Sequence, residues 1–328
     1  MNKFKHISIL VPEGAILGSL EGSRQMFSQV NEFFKSSGAD PIFKVQLVGL
    51  TKDTNLSGGL FTVNTEALIS DIEHTDLIVI PALDGDIRIA LEKNKDFIPW
   101  MVKHYNSGAE IASLCLGAFL LASTGLLKGK KCATHWIAEN QFRTMFPEVN
   151  LVTEKIITDE QGIYSSGGAF SYLNLILYLI EKYAGREIAL LIAKVFAIEP
   201  NRESQLSYTI FQGQKVHDDE QIKQAQEFIE KNYYDKITVE QLTSMLALSR
   251  RNFERRFKKA TSNTVVEYMQ RVKIEAAKKG LESGTKNVNE LMYEVGYNDT
   301  KAFRNVFKRT TGLSPIEYRN KYSKVAVA

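Results

Sequence analysis

Apolar residues recur in two different rhythms along this 328-residue chain. Through the first two thirds, short apolar runs alternate with longer amphipathic segments. Ile7-Ser-Ile-Leu-Val11, Phe43 to Leu50 and Asp76-Leu-Ile-Val-Ile-Pro81 read as buried strands. Segments within Leu17 to Phe34 and from Phe97 to Ser107 read as helices. Glu110-Ile-Ala-Ser-Leu-Cys115 is a strand running into a helix at Leu116-Gly-Ala-Phe-Leu-Leu-Ala122. Alternation of this kind predicts an α/β sandwich, a parallel sheet covered on both faces. Its ligand sites lie at the carboxyl ends of the strands.

The last third keeps a helical rhythm throughout, and one pattern occurs twice. Phe253-Glu-Arg-Arg-Phe257-Lys-Lys-Ala-Thr261 and Phe303-Arg-Asn-Val-Phe307-Lys-Arg-Thr-Thr311 each place two aromatics four residues apart, with cations on the other face. Before the first, Thr238 caps a helix with Gln241 at the capping-box position, and Val239, Leu242, Met245 and Leu246 form its inner face. A turn at Ala247-Leu248 follows, and Ser249 caps the next helix. With Leu248, Phe253, Phe257 and Ala260 inward, Arg250, Arg251, Glu254, Arg255 and Lys258 face out. Before the second, Asn287 caps a helix carrying Val288, Leu291, Met292 and Val295, with Glu290 completing the box. Gly296 frees the turn for positive φ, and Asn298 or Asp299 caps a helix showing Thr300, Lys301, Arg304, Asn305 and Lys308. Between the units, Val265 to Leu281 reads as one helix with Val266, Met269, Val272, Ala276 and Ala277 as its core stripe. About 17 residues at 1.5 Å each span about 25 Å, enough to hold two recognition helices near one turn of duplex apart. The prediction is an all-α domain with two helix-turn-helix units, about 238–260 and 288–310. One such basic helix is as readily a solvated surface, and the repetition is what favours a double-stranded DNA reader.

Charge sharpens the division. Residues 1–216 carry 20 Lys and Arg against 23 Asp and Glu, net −3, while residues 217–328 carry 21 against 15, net +6. The basic third is the part expected to meet phosphate, with affinity falling steeply in salt. Cys115 and Cys132 are the two cysteines, so no disulfide framework is implied and a reducing cytoplasm is expected. The first apolar run ends at Pro12-Glu13, too short for a signal peptide, and no uncharged stretch reaches membrane-spanning length, so no membrane partner is expected. No Cys/His spacing suggests a metal, and no cofactor is expected. Residues from Glu199 to Asp219 are polar and irregular, so domains are expected at 1–200 and 218–328 with a linker at 201–217. Asp218 or Asp219 is expected to cap the first helix beyond it.

Cys115 falls on the strand-to-helix turn, followed by Gly117. A turn of this kind lifts one side chain above the sheet and aims helix-start N–H groups at it, favouring a thiolate. His135 follows twenty residues on, in Cys132-Ala-Thr-His-Trp136, which suggests a nucleophile–base pair. The bland reading is a small buried hydrophobe.

Residues from about 218 to 322 resemble the AraC-family DNA-binding domain. The resemblance rests on Leu248-Ser-Arg-Arg-Asn-Phe-Glu-Arg-Arg-Phe257-Lys, on Tyr268, Arg271 and Ala277 in the connecting helix, and on Glu294-Val-Gly-Tyr-Asn-Asp299. Phe307-Lys-Arg-Thr-Thr-Gly-Leu-Ser-Pro-Ile-Glu-Tyr-Arg319 completes it. It implies base contacts from Arg251, Glu254 and Arg255, and from Lys301, Arg304 and Asn305. Ala247 stands where a turn glycine is common, and Met292 where a small residue usually packs, so altered local packing is expected there. The run from Ala112 to Trp136 resembles the PfpI-like, class I amidotransferase-like domain, a flavodoxin-like fold, over about residues 5–200. In GlxA-type regulators that domain precedes an AraC reader.

The joint resemblance implies a transcription regulator whose first domain senses a small-molecule effector and forms a homodimer. It also implies RNA polymerase as a further partner and amine-bearing metabolites as the candidate effector class. The effector pocket would use Cys115, His135, Gly117, Ser19, Gly168 and Asn174. Departures from the wider superfamily count against catalysis. Ser19 holds the place of an acidic residue, with Glu13 and Glu21 only nearby. Pro81-Ala-Leu-Asp84 replaces a glycine pair, with Gly85 displaced. Asn174, beyond Ser165-Ser-Gly-Gly168, replaces a frequent aspartate. No catalytic residue is therefore assigned, and a cysteine-dependent hydrolase or amidase fused to a DNA module is the alternative. Oxidation of Cys115 as a redox signal is a third reading.

Overall fold

The computed structural model describes residues 4–200, 204–284 and 286–323. The chain divides into two compact units, with the boundary between Gln205 and Leu206.

In the first unit the strands are β1 (Lys5–Leu10), β2 (Phe43–Gly49), β3 (Asp53–Leu56), β4 (Phe61–Asn64), β5 (Ala67–Leu68), β6 (Leu77–Ile80), β7 (Glu110–Leu114), β8 (Lys131–Cys132), β9 (Asn150–Leu151), β10 (Ile157–Glu160) and β11 (Ile163–Ser166). Seven of them form one sheet in the order β10-β11-β7-β6-β1-β2-β5. Every pairing in it is parallel except β10 with β11. The helices are α1 (Leu17–Ser36), α2 (Ile87–Lys93), α3 (Phe97–Asn106), α4 (Ala118–Ser123), α5 (Glu139–Met145), α6 (Tyr172–Ala184) and α7 (Arg186–Val195). Strand alternation divides the core. Ile7, Ile9, Leu77 and Val79 pack with α1, α6 and α7, while Leu10, Ile78 and Ile80 pack with α2 to α5. Both faces are therefore dry, as the near-continuous apolar runs require. The β3–β4 hairpin and the antiparallel strand β10 carry too weak an apolar signal to be read beforehand.

The second unit is helical: α8 (Glu220–Lys231), α9 (Val239–Met245), α10 (Arg250–Thr261), α11 (Val265–Ser283), α12 (Val288–Glu294), α13 (Thr300–Thr311) and α14 (Pro315–Tyr322). Thr238 Oγ1 accepts the Gln241 N–H at 3.1 Å, the forward half of the capping box. Asn287 with Glu290 forms a complete box. Asp219, Ser249 and Asp299 cap α8, α10 and α13 through their side chains. Each helix-turn-helix has its own small core. Phe253, Phe257 and Tyr268 anchor one, and Phe303, Phe307 and Tyr318 the other, with the Tyr233 ring touching both.

Three expectations need correction. Val266 is half exposed, and the buried face of α11 runs through Val265, Tyr268, Val272, Ala277 and Leu281. Tyr268 claims the core because its hydroxyl donates to Glu230 and accepts from Gln226, which removes the cost of burying it. Met245 is likewise exposed, and Leu246 takes the inner place. From residue 204 on, the segment expected as a linker is built into the units instead. Gln205 is buried in the first, and Phe211 packs on the core of the second. Gln205, Thr209, Gln214 and Lys215 each make side-chain hydrogen bonds inside their own unit. Residues 201–203 of that segment lie outside the described residues, as do 324–328.

The two departures noted in the turns have physical counterparts. Ala247 adopts φ +52°, where Gly296 in the second helix-turn-helix adopts +74°. A side chain there costs about 1 kcal/mol, so Ala247→Gly is expected to raise stability by that amount in urea unfolding followed by far-ultraviolet dichroism. Met292 is buried, and Gly280 makes room for its neighbour Leu291. A Cβ on Gly280 would lie 2.3 Å from Leu291 Cδ2, so α11 and α12 approach closely through that glycine.

Candidate functional site: a cation-faced helix pair and a buried cysteine turn

In the second unit, Arg251, Glu254, Arg255, Thr300, Lys301, Arg304, Asn305 and Lys308 are all exposed on their helices, opposite the buried phenylalanines. Arg250 is exposed but engaged. Its Nε donates to Glu254 at 3.0 Å and its Nη1 to Glu240 at 2.7 Å, tying α10 to α9. Glu254 is thereby a partner to Arg250 before any ligand arrives. Arg256 is withdrawn from the outer face by a two-pronged pairing with Asp219. That guanidinium holds the Asp219 carboxyl below its usual range. Arg251, Arg255 and Lys258 line a groove of about 690 Å³ closed by Thr264 and Val265 at the start of α11. Helix α11 has 19 residues, about 28 Å of rod.

In the first unit Cys115 sits at the carboxyl end of β7, in the 3-10 turn Cys115–Gly117 that leads into α4. It adopts φ +51°, a strained conformation for a residue with a side chain. Neighbouring segments fix this turn. The Cys115 N–H points to Ser166 Oγ at 3.4 Å, and the Cys115 carbonyl accepts from Thr134 Oγ1 at 2.9 Å. Gly117 is required by contact, because a Cβ there would fall 2.4 Å from the Pro81 carbonyl.

Burial works against the expected thiolate. Burial pushes the Cys115 thiol up to about 11, outweighing the Leu116 N–H that favours the ion. At pH 7 only about one thiol in 10⁴ would be ionised, against a few per cent for a free cysteine. Iodoacetamide is therefore expected to label Cys115 at least a hundredfold more slowly than a free thiol at pH 7. The rate should climb tenfold per pH unit until about pH 11. A plateau near pH 8, followed by mass spectrometry, would contradict this.

His135 is engaged in a turn of its own. Its Nδ1 accepts the Ile137 N–H at 3.1 Å, capping the next turn, and burial lowers its pKa so that it stays neutral. Among the described residues no hydrogen bond joins it to Cys115. Ser19 is buried and accepts the Ala82 N–H at 3.0 Å, so that donor after β6 is already spent. The Asp84 N–H goes to the Gly14 carbonyl, and Pro81 has none. Glu13 pairs with Lys93 and Glu21 with Arg24. Asn174 Nδ2 donates to the Glu199 carbonyl at 2.7 Å, tying α6 to the chain beyond α7. Gly168 takes φ +75° in the loop after β11, with Ser171 Oγ 2.7 Å from where its Cβ would stand.

Of the six expected pocket residues, Cys115 and Gly117 share one turn, and the other four serve neighbouring loops and caps. Sequence reasoning missed Thr134, Ser166 and Gln205, which hold the turn from beneath. Ser166 stood in the quoted Ser165-Ser-Gly-Gly168 run, and Thr134 one residue before His135. Nothing in a polar linker marked Gln205.

Residues 32–182 match the DJ-1/PfpI family, and residues 242–321 match a helix-turn-helix domain. The chain is 26% identical over 215 residues to the HTH-type transcriptional regulator ArgR of Pseudomonas aeruginosa, covering 65% of each protein. It is 24% identical over 250 residues to the HTH-type transcriptional regulator GbdR of the same species, covering 73% of this chain and 66% of that one. It thus spans just under two thirds of the length of these relatives. A crystal structure of a protein from Vibrio parahaemolyticus, described as a transcriptional regulator, superposes with a TM-score of 0.53 at 25% identity. That match covers 59% of this chain and 99% of the other.

Proposed function

We propose that this chain, which joins a DJ-1/PfpI-type domain to an AraC-type domain with two helix-turn-helix units, is a sequence-specific transcription regulator governed by a small-molecule effector. The carrying observation is the pair of exposed cationic faces on α10 and α13, each backed by its own aromatic core and joined by α11. Arg251, Arg255, Lys301, Arg304 and Asn305 read base edges in successive major grooves. Thr300 and Lys308 hold phosphate. Arg250, tethered to Glu240 and Glu254, sets the angle between α9 and α10 and adds less to base reading.

The effector binds above the Cys115 turn and acts through its different affinity for two arrangements of the protein. The buried thiol and the engagement of the Ala82 and Asp84 N–H groups after β6 support a sensor over a hydrolase, since a tetrahedral intermediate would find less stabilisation there. The first unit is also the proposed dimerisation surface, and RNA polymerase a partner of the DNA-bound form. Amine-bearing metabolites head the list of effectors to try, and the cytoplasm is the proposed location. No helix among the described residues is long and apolar enough to cross a membrane.

Fluorescence anisotropy on DNA from upstream of its own gene tests the reading. Specific DNA is expected to bind at least a thousandfold more tightly than random duplex at physiological salt. Equal binding of both would end the proposal. Effector binding that survives Cys115→Ala, with no turnover in either protein, separates the sensor from the hydrolase.

A further inference from the structure

Gln205 is the last residue of the first unit, and its side chain is 1% exposed. Its Nε2 donates to the Thr134 carbonyl at 3.0 Å and to the Lys155 carbonyl at 3.2 Å, and its backbone N–H to the Glu154 carbonyl at 3.1 Å. The amide needs Gly167 to enter. A Cβ on that residue would stand 2.1 Å from Nε2 and 2.8 Å from the Thr134 carbonyl. Oε1 is buried with no partner among the described residues, and lies 3.7 Å from where a Gly168 Cβ would be. The seat is thus half satisfied: the donors are met and the acceptor is stranded, which makes the well shallow. Thr134, whose carbonyl receives the amide, gives its hydroxyl to the Cys115 carbonyl.

The chain then passes directly into the second unit. The 3-10 turn Leu206–Tyr208 lies against α13, the second recognition helix. The Thr209 carbonyl accepts from Lys278 Nζ and the Phe211 N–H donates to Glu275, both on α11. A seven-residue strap from 205 to 211 is therefore pinned at one end under the cysteine turn and at the other on the helices that carry the reader.

We propose that Gln205 is the positioning residue that transmits the state of the Cys115 turn to the second recognition helix. Movement of Thr134 or of the Gly167-Gly168 loop unseats the amide, and the strap releases its hold on α13. The proposal rests on the reading of the Cys115 region as the effector site, and its test uses no effector.

Hydrogen exchange of the full chain, read by mass spectrometry, compares wild type, Gln205→Glu and Gln205→Asn at pH 5 and pH 8, with protection expressed relative to wild type at the same pH. A protonated glutamic acid keeps an O–H to donate to the Thr134 carbonyl. Its carboxylate faces two carbonyls and leaves. Burial raises the carboxyl pKa, so the seat is kept at low pH and lost as pH rises through that raised value. In Gln205→Glu, peptides covering 131–135, 206–211 and 300–305 are expected to match wild type at pH 5 and to exchange about five- to tenfold faster at pH 8. Gln205→Asn, one carbon too short to reach, is expected to show the faster exchange at both pH values. A pH step confined to 131–135 and 165–168, with 206–211 and 300–305 unchanged, overturns the proposal. So does the absence of any step in Gln205→Glu while its tryptophan fluorescence is native. Either failure leaves the effector reading standing, because that reading falls only if no ligand binds the first unit.

Discussion

Phe257→Ala is expected to unfold the first half of the reader and to abolish binding to specific DNA. The ring is fully buried, with Phe253 at 5.6 Å and Tyr268 edge-on at 5.3 Å between centroids. Truncating such a phenylalanine costs about 3–5 kcal/mol, and a small core cannot collapse to fill the space. Domains of this size hold about 5–15 kcal/mol in total, so little would remain. Both tryptophans, Trp100 and Trp136, lie in the first unit, which makes the measurement separable. In a urea titration the helix dichroism of the second unit should fall at much lower denaturant, while tryptophan fluorescence keeps its wild-type midpoint. If both signals shift together, the two units do not unfold independently and the argument from separate cores fails.

The double substitution Arg251→Ala with Arg304→Ala should leave the fold intact and remove one base-reading cation from each groove. Each bidentate contact of this kind is worth about 1–3 kcal/mol. The pair should therefore weaken specific binding by about 10²–10⁴-fold, with a much smaller change on random duplex. Lys308→Ala should behave differently, weakening both DNAs alike and lowering the salt slope by about one. Arg250→Ala should fall between these, because its charge is already shared with Glu240 and Glu254. The measurement is anisotropy against salt on both DNAs. Equal losses on specific and random duplex for the double variant would mean that neither arginine reads a base.

The reader was legible because local signals agreed with tertiary ones. Thr238, Ser249, Asn287 and Asp299 cap the helices that their spacing indicates. The aromatic pairs are buried as the four-residue interval requires. In the first unit, strands β1, β2, β6 and β7 could be read from short, largely apolar runs, and α1 and α3 from helical periodicity. What escaped detection depended on partners far along the chain. Tyr268 and Lys278 are polar by composition but buried, the first by Glu230 and Gln226 and the second by Thr209 and Glu275. The same is true of the cysteine. Its place on a strand-to-helix turn was readable, but its protonation is decided by surrounding bulk that periodicity does not reveal. Val266 was misassigned for a related reason, since residues two apart in a helix lie on opposite sides and the tyrosine, with hydroxyl partners waiting, turned its own side inward.

The two aromatic cores of the second unit, bridged by α11 and the Tyr233 ring, bear on how long the proposed regulator would stay on an operator. Each lobe is able to lose order while its neighbour keeps its own. Departure then runs through a one-footed state in which a vacated groove stands open to a competing molecule. Residence time should consequently shorten as free duplex or a rival protein becomes more abundant, even though the equilibrium preference for the site is unchanged.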